Sequence, residues 1–263
     1  MASSIPDSTL NLPRILCLHG GGVTGEAFKL QSRALIARLK TTFRLVFADG
    51  PFLCDPGPGI LPVYADFAPF RRWLRWLPEH KEIDAESAID EVYYQIKLAM
   101  DTDDSEGGTG EWVGLMGFSQ GAKVSAGLLY EQQIKEAIKK GSSGTSWRFG
   151  ILLAGRAPLV SLSDDTAGNK ALVHAAEISE GFETVDPELW DGWKKLEVPT
   201  LHVHGTEDPG LHLHRRLLNQ YCDPSSTTVL EWPGNHRVPI KKTDCDPIVA
   251  AIMDIAKKTG AIP

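Results

Sequence analysis

The sequence predicts an α/β fold with a mostly parallel central sheet and helices on both faces. Along most of the 263 residues, short apolar runs alternate with segments in which apolar side chains recur at helical spacing. The first group comprises an apolar run at 14–19, helical spacing at 25–39 and a second apolar run at 43–48. A strand, a helix and a strand within about 35 residues form a βαβ unit, in which the two strands lie parallel.

The rest of the chain repeats this alternation. Helical spacing returns over 83–100, and Asp84 near its start has a side chain suited to capping a helix N-terminus. The later segments are predicted as a strand at 112–116, a helix that runs to about Lys140, strands at 149–154 and 198–204, a helix at 211–221, a strand at 226–231 and a closing helix at 247–258. No internal repeat or linker interrupts the sequence, so we expect one domain over residues 1–263.

Two blocks, 51–80 and 156–196, break the alternation and are predicted as lid-like insertions. The first contains prolines at 51, 56, 58, 62, 69 and 78, which exclude a long helix in its first part, and it is dense in aromatic residues. Long ordered loops are often functional, although such a loop can also pack on the sheet without another role. As walls of an apolar substrate pocket we predict six aromatic side chains: Phe52, Tyr64, Phe67, Trp73, Trp190 and Trp193.

Composition argues against several classes of protein. The formal net charge of −7 opposes nucleic-acid binding, which needs a positive surface to displace counterions. No apolar run approaches the ~20 residues that cross a bilayer, and the first residues lack the basic and apolar segments of a secretory signal. The cysteines are scattered without C-x-x-C spacing, which indicates reduced thiols. We therefore expect a soluble cytoplasmic protein that binds neither nucleic acid nor a membrane.

Two further patterns resemble cofactor or metal sites but do not match them. The loop Gly20–Gly22 lacks both Gly-x-Gly-x-x-Gly and the Gly-Lys-Ser/Thr of a phosphate-binding loop, so no nucleotide is predicted there. His202 and His204 alternate along a predicted strand close to His212 and His214, which suggests zinc. No carboxylate or cysteine stands at an established zinc spacing there, so we predict no metal and no cofactor.

The motif that organises the rest of the chain is Gly117-Phe-Ser-Gln-Gly121, between the predicted strand at 112–116 and the following helix. A Gly-x-Ser-x-Gly at such a junction is typical of a nucleophile elbow, a turn so tight that its glycines leave no room for side chains. The serine hydroxyl then stands exposed above the sheet. Because glycine and serine are common, the pentapeptide alone is weak evidence, and it needs a base, an acid and an oxyanion site elsewhere.

The chain supplies a base and an acid in the required order. His236 lies just after the last predicted strand, and Asp208 follows the preceding strand in His204-Gly-Thr-Glu-Asp208. A serine hydroxyl needs a base to remove its proton, and the imidazole needs a carboxylate that fixes its tautomer. The order Ser119, Asp208, His236 is that of α/β-hydrolases, so we predict this fold and these three catalytic residues. Glu207 is the rival acid, and the sequence leaves that choice open.

An oxyanion site for the attacked carbonyl requires two backbone N–H groups. One is predicted at Gln120, the residue after the nucleophile, where the positive end of the helix contributes. The other is predicted in the glycine loop after the first strand, at Gly21 or, as the second choice, at Gly22. Together these pieces predict acyl transfer through an acyl-Ser119 intermediate.

These motifs carry a resemblance to a known family over nearly the whole chain. The segments concerned are Ile15–Gly22, Gly117–Ala122, Leu201–Asp208 and Gly234–His236. They are similar to those of the fungal serine hydrolase family, also called the FSH or ovarian-cancer-associated hydrolase-like family. The stretches 47–59 and 69–73 resemble the branch encoded beside fungal polyketide synthases, the type of the lovastatin-pathway thioesterase and the citrinin-pathway hydrolase. The resemblance implies an α/β-hydrolase with the three catalytic residues already predicted.

In that branch the resemblance implies hydrolysis of a polyketide thioester held on an acyl carrier protein, in secondary metabolism. The expected substrate is a small-molecule acyl group and the expected partner is the carrier protein. Small oxygen esters are the alternative substrates, and a ligand receptor on a hydrolase scaffold is a third hypothesis. Arg71, Arg72 and Arg75 stand out in an acidic protein, either as a solvated face or as a contact for an acidic carrier surface or its pantetheine phosphate.

Overall fold

The computed structural model describes residues 7–139, 144–179, 187 and 193–263. In chain order its elements are β1 (Arg14–Leu18), α1 (Gly25–Gln31), α2 (Arg33–Leu39), β2 (Arg44–Ala48), β3 (Phe52–Leu53), β4 (Arg71–Arg72), α3 (Ala85–Ser105), β5 (Trp112–Phe118), α4 (Gln120–Lys139), β6 (Phe149–Leu153), β7 (Val160–Ser161), β8 (Val173–His174), β9 (Thr200–Gly205), α5 (Leu211–Arg216), β10 (Thr227–Trp232) and α6 (Lys242–Lys258). Each helix and strand predicted from the periodicity has a counterpart among them, although several boundaries differ.

The longer strands form one six-stranded sheet in the order β10-β9-β6-β5-β1-β2. Every neighbouring pair in this sheet is parallel, which confirms the predicted α/β fold. Parallel strands have their carboxyl ends at one edge, and ligands of open α/β sheets bind outside that edge. The loops that follow β1, β5, β9 and β10 therefore meet at one side of the molecule.

Helices cover both faces of the sheet, and the alternation within β1 shows why. Ile15 and Cys17 join one apolar cluster, Leu16 and Leu18 join another, and all of these side chains are fully buried. Helices α1, α2 and α6 contribute to the first cluster, and α3 and α4 contribute to the second. Burying one such aliphatic side chain stabilises the fold by about 1.5–3 kcal/mol. A strand buried on both faces needs consecutive apolar residues, as β1 has from Ile15 to Leu18.

The predicted helix at 25–39 is two helices in the structure. The hydroxyl of Thr24 caps α1. Ser32 then leaves helical geometry, with φ −86° and ψ 4°, and its N–H donates to the Phe28 carbonyl oxygen. Because α2 restarts at Arg33, the chain bends where the periodicity predicted a continuous helix.

Helix α3 begins as predicted but ends later. Asp84 caps it and accepts a hydrogen bond of 2.8 Å from the Ser87 N–H. The helix continues to Ser105, five residues beyond the helical spacing that the sequence shows over 83–100. Asp103 accounts for the difference, because its buried carboxylate is ion-paired with arginines of the sheet and this holds the last turn in place.

Both predicted insertions contain short strands of their own. In the first, β3 and β4 pair antiparallel, and the Arg71 carbonyl oxygen of β4 accepts hydrogen bonds from the N–H groups of Gly22 and Val23. In the second, β7 and β8 form a parallel pair. The first insertion is thus fastened to the glycine loop that follows β1. No helix in the described part of the chain is long and apolar enough to span a bilayer.

Candidate active site

Ser119 stands at the turn between β5 and α4, and the local geometry explains both glycines of the motif. A Cβ atom on Gly117 would lie 2.3 Å from the carbonyl oxygen of Gly121, and one on Gly121 would lie 2.0 Å from that of Leu18. Neither position can carry a side chain. Ser119 itself has φ +53°, a conformation that costs energy in a residue other than glycine and recurs at functional turns. The turn presents the serine at the carboxyl edge of the sheet.

A continuous chain of hydrogen bonds links three side chains at this edge. The Ser119 hydroxyl lies 2.9 Å from Nε2 of His236, and Nδ1 of the same ring lies 2.5 Å from Oδ2 of Asp208. Asp208 follows β9 and His236 follows β10. With its proton on Nδ1, the ring donates to the carboxylate, and the lone pair on Nε2 accepts from the serine hydroxyl.

Asp208 is the buried end of this series of hydrogen bonds. Its side chain is fully buried, and Oδ1 accepts a hydrogen bond of 2.7 Å from the Gly210 N–H. Arg156 Nη2 lies 3.8 Å from Oδ1, and His214 Nε2 lies 3.6 Å from Oδ2. Burial favours the neutral acid, but the Gly210 N–H and then His236 outweigh it and hold the pKa of Asp208 below its usual value. The carboxylate is therefore ionised at neutral pH.

Glu207, the rival acid in the sequence, lies outside this chain of hydrogen bonds. The residue is exposed, and its backbone N–H donates to the Gly234 carbonyl oxygen at 2.9 Å. That bond ties the loop after β9 to the loop after β10 and so helps to position His236. The structure brings Asp208, rather than Glu207, to the imidazole.

The surroundings of His236 favour the neutral imidazole. Burial lowers its pKa, and the neighbouring Asp208 opposes that shift without cancelling it. The Phe118 ring packs beside the imidazole, with 5.0 Å between the ring centroids. A ring that is neutral at neutral pH is in the state that can accept a proton from serine.

Two backbone N–H groups near Ser119 are available to an oxyanion. Gln120 is the first residue of α4, and the opening N–H groups of a helix have no acceptor within it. Within the described part of the chain, the Gly21 N–H likewise has no acceptor. The Gly22 N–H, by contrast, already donates to the Arg71 carbonyl oxygen at 2.9 Å. Gly21 stays the predicted second donor, and Gly22 is engaged elsewhere.

The Gln120 side chain has a role that the motif did not indicate. Its Oε1 accepts hydrogen bonds from the N–H groups of Trp73 (2.7 Å) and Leu74 (3.1 Å), and its Nε2 donates to the Leu74 carbonyl oxygen (3.0 Å). These bonds fasten residues 72–76, which we call the strap, beside the nucleophile. The sequence held no signal for this contact, because it joins residues far apart in the chain.

Three of the aromatic residues predicted to line a pocket lie near the glycine loop. Tyr64 and Phe67 are half-buried against an apolar cluster that includes Val23. The Phe52 ring lies 4.7 Å from the guanidinium carbon of Arg72. Their role as pocket walls stays a prediction.

Trp73 and Trp76 differ from what the sequence suggested. Trp73, predicted as a pocket wall, is fully buried, and its Nε1 donates to the His19 carbonyl oxygen at 3.0 Å. It has no exposed surface with which to contact a substrate, so its role here is packing. Trp76, which was not predicted as a site residue, lies over Gly21, where a Cβ atom would come within 2.7 Å of the ring. Its only sequence signal was its place in the aromatic block.

Trp193 lies far from the nucleophile. Its ring stacks on Tyr130, with 5.7 Å between centroids, and meets Tyr221 edge-on at 5.6 Å. Tyr130 comes eleven residues after Ser119 in the chain, which is roughly 16 Å along α4 at 1.5 Å per residue. The structure therefore gives Trp193 a packing role about halfway along α4 rather than the predicted place in the pocket. Trp190 lies outside the described residues.

A row of buried histidines leads from the site into the sheet. Ring centroids are 6.3 Å apart between His236 and His214, 5.4 Å between His214 and His204, and 5.9 Å between His204 and His202. Burial lowers the pKa of His202 to about 3, that of His204 to about 4 and that of His214 to about 3. These rings are thus neutral at neutral pH. His212, the remaining member of the sequence pattern, is exposed on α5.

Among the described residues, Asp208, His214 and His236 present possible metal-ligand atoms within 4.8 Å of one another. This set differs from the histidine pattern that suggested zinc in the sequence. Two of its members, Asp208 and His236, already share a hydrogen bond of 2.5 Å. The absence of a metal requirement stays a prediction.

The parallel sheet, the tight turn at its carboxyl edge and the serine–histidine–aspartate chain together define an α/β-hydrolase of the serine hydrolase class. The family described as serine hydrolase (FSH1) matches residues 9–248. The chain belongs to this serine hydrolase family, which confirms the resemblance carried by its motifs.

Fungal proteins named as esterases are similar to the chain over nearly its full length. Esterase citA of Monascus ruber is 47% identical over 262 residues, covering 98% of this chain and 97% of that protein. Esterase claE of Penicillium crustosum is 48% identical over 259 residues, again covering 98% and 97%. The probable esterase tazC of Aspergillus terreus is 48% identical over 263 residues, covering 100% and 99%. The protein is accordingly an enzyme of the hydrolase and esterase kind.

Solved structures share the fold at low sequence identity. The crystal structure of esterase PE8 aligns with a TM-score of 0.54 at 16% identity, covering 95% of this chain and 94% of that one. Acyl-protein thioesterase 2 of Zea mays aligns with a TM-score of 0.52 at 14% identity, covering 95% and 96%. At these identities the likeness supports the α/β-hydrolase fold alone.

Proposed function

We propose that the protein hydrolyses an acyl ester or thioester through an acyl-Ser119 intermediate, with His236 as the base and Asp208 as its partner. The observation that carries the proposal is the hydrogen-bonded chain from the Ser119 hydroxyl to the buried Asp208 carboxylate. A serine hydroxyl is a weak nucleophile at neutral pH unless a positioned base removes its proton during the attack. The neutral His236 ring is such a base, and the carboxylate favours the charge that it gains.

In the acylation step, Ser119 Oγ attacks the carbonyl carbon of the substrate while His236 Nε2 takes the serine proton. Asp208 stabilises the imidazolium that forms, and the N–H groups of Gly21 and Gln120 hold the oxyanion. As the tetrahedral intermediate collapses, His236 gives the proton to the leaving thiol or alcohol. In deacylation, His236 takes a proton from water as the water oxygen attacks the acyl-serine carbonyl. The imidazolium then gives this proton to Ser119 Oγ as the acyl–oxygen bond breaks, which releases the acid and restores the serine hydroxyl.

As the natural substrate we propose a polyketide acyl thioester held on an acyl carrier protein. Two observations support this choice: the likeness of the 47–59 and 69–73 stretches to the polyketide-synthase branch, and the aromatic side chains of the first insertion beside the glycine loop. A long acyl chain needs a largely apolar cleft with few polar anchors. The pocket walls, rather than the catalytic residues, decide which acyl group fits.

Hydrolysis of small oxygen esters is the second candidate, because the fungal relatives are named esterases. Both candidates use the same residues and differ in the leaving group. The ratio of kcat/KM for an acyl thioester of pantetheine to that for an oxygen ester of the same acid separates them. A ratio above one supports the thioester, and a ratio below one supports the oxygen ester. Multiple turnover of either compound excludes a ligand receptor.

Ser119→Ala tests the nucleophile. Without the hydroxyl no acyl-enzyme forms, so we expect kcat to fall by about 10⁴–10⁶-fold. A fluorophosphonate should label the wild-type protein at Ser119 and leave the variant unlabelled. Ser125→Ala is the matched control, because Ser125 is a buried serine on α4, the helix that follows Ser119, and it should keep both activity and labelling. Undiminished hydrolysis by Ser119→Ala would refute the proposed nucleophile.

A further inference from the structure

Two arginines of the strap, Arg72 and Arg75, bury nitrogen atoms that find no hydrogen-bond partner in the described part of the chain. Arg72 is 4% exposed, and its Nε and Nη1 atoms are buried without a hydrogen-bond partner among the described residues. Arg75 has a buried Nε in the same condition. Its Nη2 lies 3.7 Å from Glu82, whose side chain is 88% exposed. From the sequence, these arginines could either form a solvated face or contact an acidic group. The burial of Arg72 excludes the solvated face for this residue.

Around Arg72 lie an aromatic ring, further basic side chains and the Cys54 thiol, which stays neutral at neutral pH because burial raises its pKa to about 11. Its guanidinium lies 4.7 Å from the centre of the Phe52 ring, whose face accommodates a cation but does not neutralise it. Burial lowers the pKa of Arg72, and the charge of Arg75 lowers it further. Burial likewise lowers the pKa of His80, and the charges of both arginines add to that shift. Three basic side chains therefore lie close together beside an aromatic face.

A buried cation without a partner destabilises a fold. Replacing buried charges with apolar residues of similar volume is often neutral or stabilising, so packing alone gives no reason for two arginines here. A guanidinium presents five N–H donors in a planar fork, and this fork matches the paired oxygens of a carboxylate or a phosphate. The unmet donors of both side chains therefore point to an anion that comes from outside the chain.

The strap places these arginines along the wall of the hydrolytic site. Its middle is hydrogen-bonded to Gln120, the residue after the nucleophile. Its last residue, Trp76, covers Gly21, the predicted oxyanion donor. The segment that carries both arginines is thus fastened beside Ser119 and its predicted oxyanion donor.

We propose that Arg72 and Arg75 form a binding site for an oxyanionic group of the substrate, a carboxylate or a phosphate, beside the hydrolytic centre. The inference rests on the proposed function and narrows the substrates to acyl esters or thioesters that carry a negative charge away from the scissile bond. A phosphate on a pantetheine leaving group is one source of that charge, and a carboxylate on the acyl chain is the other.

Two matched pairs of substrates distinguish the sources. One pair is the octanoyl thioester of pantetheine and that of pantetheine 4′-phosphate, which differ only in the phosphate. The other is the phenyl monoester of a dicarboxylic acid with its far carboxylate free, and the same ester with that carboxylate methylated. In the wild-type enzyme, kcat/KM should favour the charged member of one pair by about ten- to hundredfold, mainly through KM. A ratio near one in both pairs would overturn the site.

Arg72→Met and Arg75→Met remove the charges with little change in volume. Each substitution should bring the ratio of the favoured pair toward one. Arg71→Met is the matched control, because the Arg71 side chain donates instead to the Gly50 carbonyl oxygen at 3.3 Å, and it should keep the wild-type ratio. A ratio that survives both Arg72→Met and Arg75→Met contradicts the proposal.

Thermal stability separates binding from packing at Arg72. A residue that buries unpaired hydrogen-bond donors in order to bind a ligand destabilises the ligand-free protein. If Arg72 is such a residue, Arg72→Met should keep or raise the Tm of the ligand-free protein. A residue whose only role is packing on Phe52 should lower the Tm when it is replaced. A lower Tm together with an unchanged substrate ratio would assign Arg72 to packing and overturn the proposal.

Direct binding makes the test independent of turnover. Calorimetric titration of pantetheine 4′-phosphate and of a dicarboxylic acid monoester into Ser119→Ala should detect binding of one of them, and Arg72→Met added to that variant should abolish it. If this binding is found while the wild-type enzyme hydrolyses nothing and Ser119 takes no label, the proposed function fails and the anion site stands. If the enzyme hydrolyses the charged and uncharged members of both pairs equally well and neither anion binds, only the anion site is overturned and the proposed function stands.

Discussion

At the scale of single residues, His236 lies between two unlike groups, and this asymmetry sets its protonation. Nδ1 lies 2.5 Å from the buried Asp208 carboxylate, and Nε2 lies 2.9 Å from the Ser119 hydroxyl. The pKa of Asp208 is held low, although burial opposes this, and burial lowers the pKa of His236. The pair is therefore a carboxylate and a neutral imidazole at neutral pH, with the proton of the ring on the nitrogen that faces the acid.

Asp208→Asn should lower kcat by about 10⁴-fold, because an asparagine can donate to Nδ1 and so favours the tautomer that cannot accept the serine proton. Steady-state kinetics on any substrate that the wild-type enzyme hydrolyses measures this loss. Glu207→Gln is the matched control one residue away, and its kcat should stay within about twofold because its exposed carboxylate lies outside the hydrogen-bonded chain. Equal losses in the two variants would contradict the assignment of the acid.

Single residues differ in how well the sequence predicts their positions. The order of Ser119, Asp208 and His236 after successive strands was informative, because a parallel sheet brings the ends of those strands to one edge. The type of an aromatic or charged residue says nothing about the direction in which it points. Trp193 therefore packs far from the site, and Arg72 is buried where a solvated charge is the usual expectation.

At the scale of elements, α4 fastens two irregular segments through glutamine side chains. Gln120, in its first turn, binds the backbone of the strap. Gln133, farther along, accepts a hydrogen bond of 2.7 Å from the Glu197 N–H and donates one of 2.8 Å to the Lys195 carbonyl oxygen. Gln120 stands at the start of α4 and Gln133 about two-thirds along it. Because both side chains bind backbone groups of an irregular segment, they allow a comparison between a contact beside the site and one remote from it.

Gln120→Ala should lower kcat/KM by roughly tenfold, because the Trp73 and Leu74 N–H groups lose their acceptor and the strap shifts beside Gly21. The backbone N–H of residue 120 is retained, so the predicted oxyanion donor is not removed. Hydrogen exchange at residues 73 and 74 should quicken in the variant.

Gln133→Ala provides the control for this prediction, since it removes two side-chain hydrogen bonds of the same kind away from the site. It should lower stability without changing kcat/KM. If both variants lose activity equally, or if neither changes hydrogen exchange at the strap, the strap does not support the site in the way that the structure indicates.

The sequence predicted which helices and strands form more accurately than it predicted where each of them begins and ends. Periodicity found α3 and its Asp84 cap because both are local properties of the sequence. It did not find the last turn of α3, because that turn depends on contacts between Asp103 and arginines in strands β1 and β2. The strap was predicted only as part of an irregular block, since its conformation depends on Gln120 and on the glycine loop.

At the scale of the whole molecule, the active site and a cluster of charged residues lie at opposite ends of the strands. The site is at the carboxyl ends, and the charged cluster connects the amino ends of two strands to α3. Arg14 and Arg44 open β1 and β2, at the amino ends of these strands. The Asp103 carboxylate binds both, at 3.1 Å from Arg14 Nη1 and 2.7 Å from Arg44 Nε. Arg14 also contacts Asp104 and donates to the Gly110 carbonyl oxygen at 2.6 Å. This cluster links β1, β2 and α3 a full strand length away from Ser119.

Asp103→Ala should therefore destabilise the protein without changing its catalysis. The substitution leaves two arginines with largely buried side chains short of a partner, which costs about 3–5 kcal/mol of unfolding free energy. For a chain of this size that loss corresponds to a fall in Tm of roughly 6–20 °C. Calorimetry gives the Tm, and kcat/KM measured well below it should match the wild-type value because the carboxyl edge of the sheet is untouched.

Asp101→Ala supplies the comparison, because Asp101 lies on the same helix and pairs with Lys97 in an exposed salt bridge of 2.5 Å. Exposed pairs contribute about 0–1 kcal/mol, so the Tm of this variant should stay within about 4 °C of the wild-type value. Since the two substitutions remove the same charge, a difference between them measures burial and pairing rather than net charge. A fall in kcat/KM in folded Asp103→Ala would show that the two edges of the sheet are coupled, contrary to the separation argued from the structure.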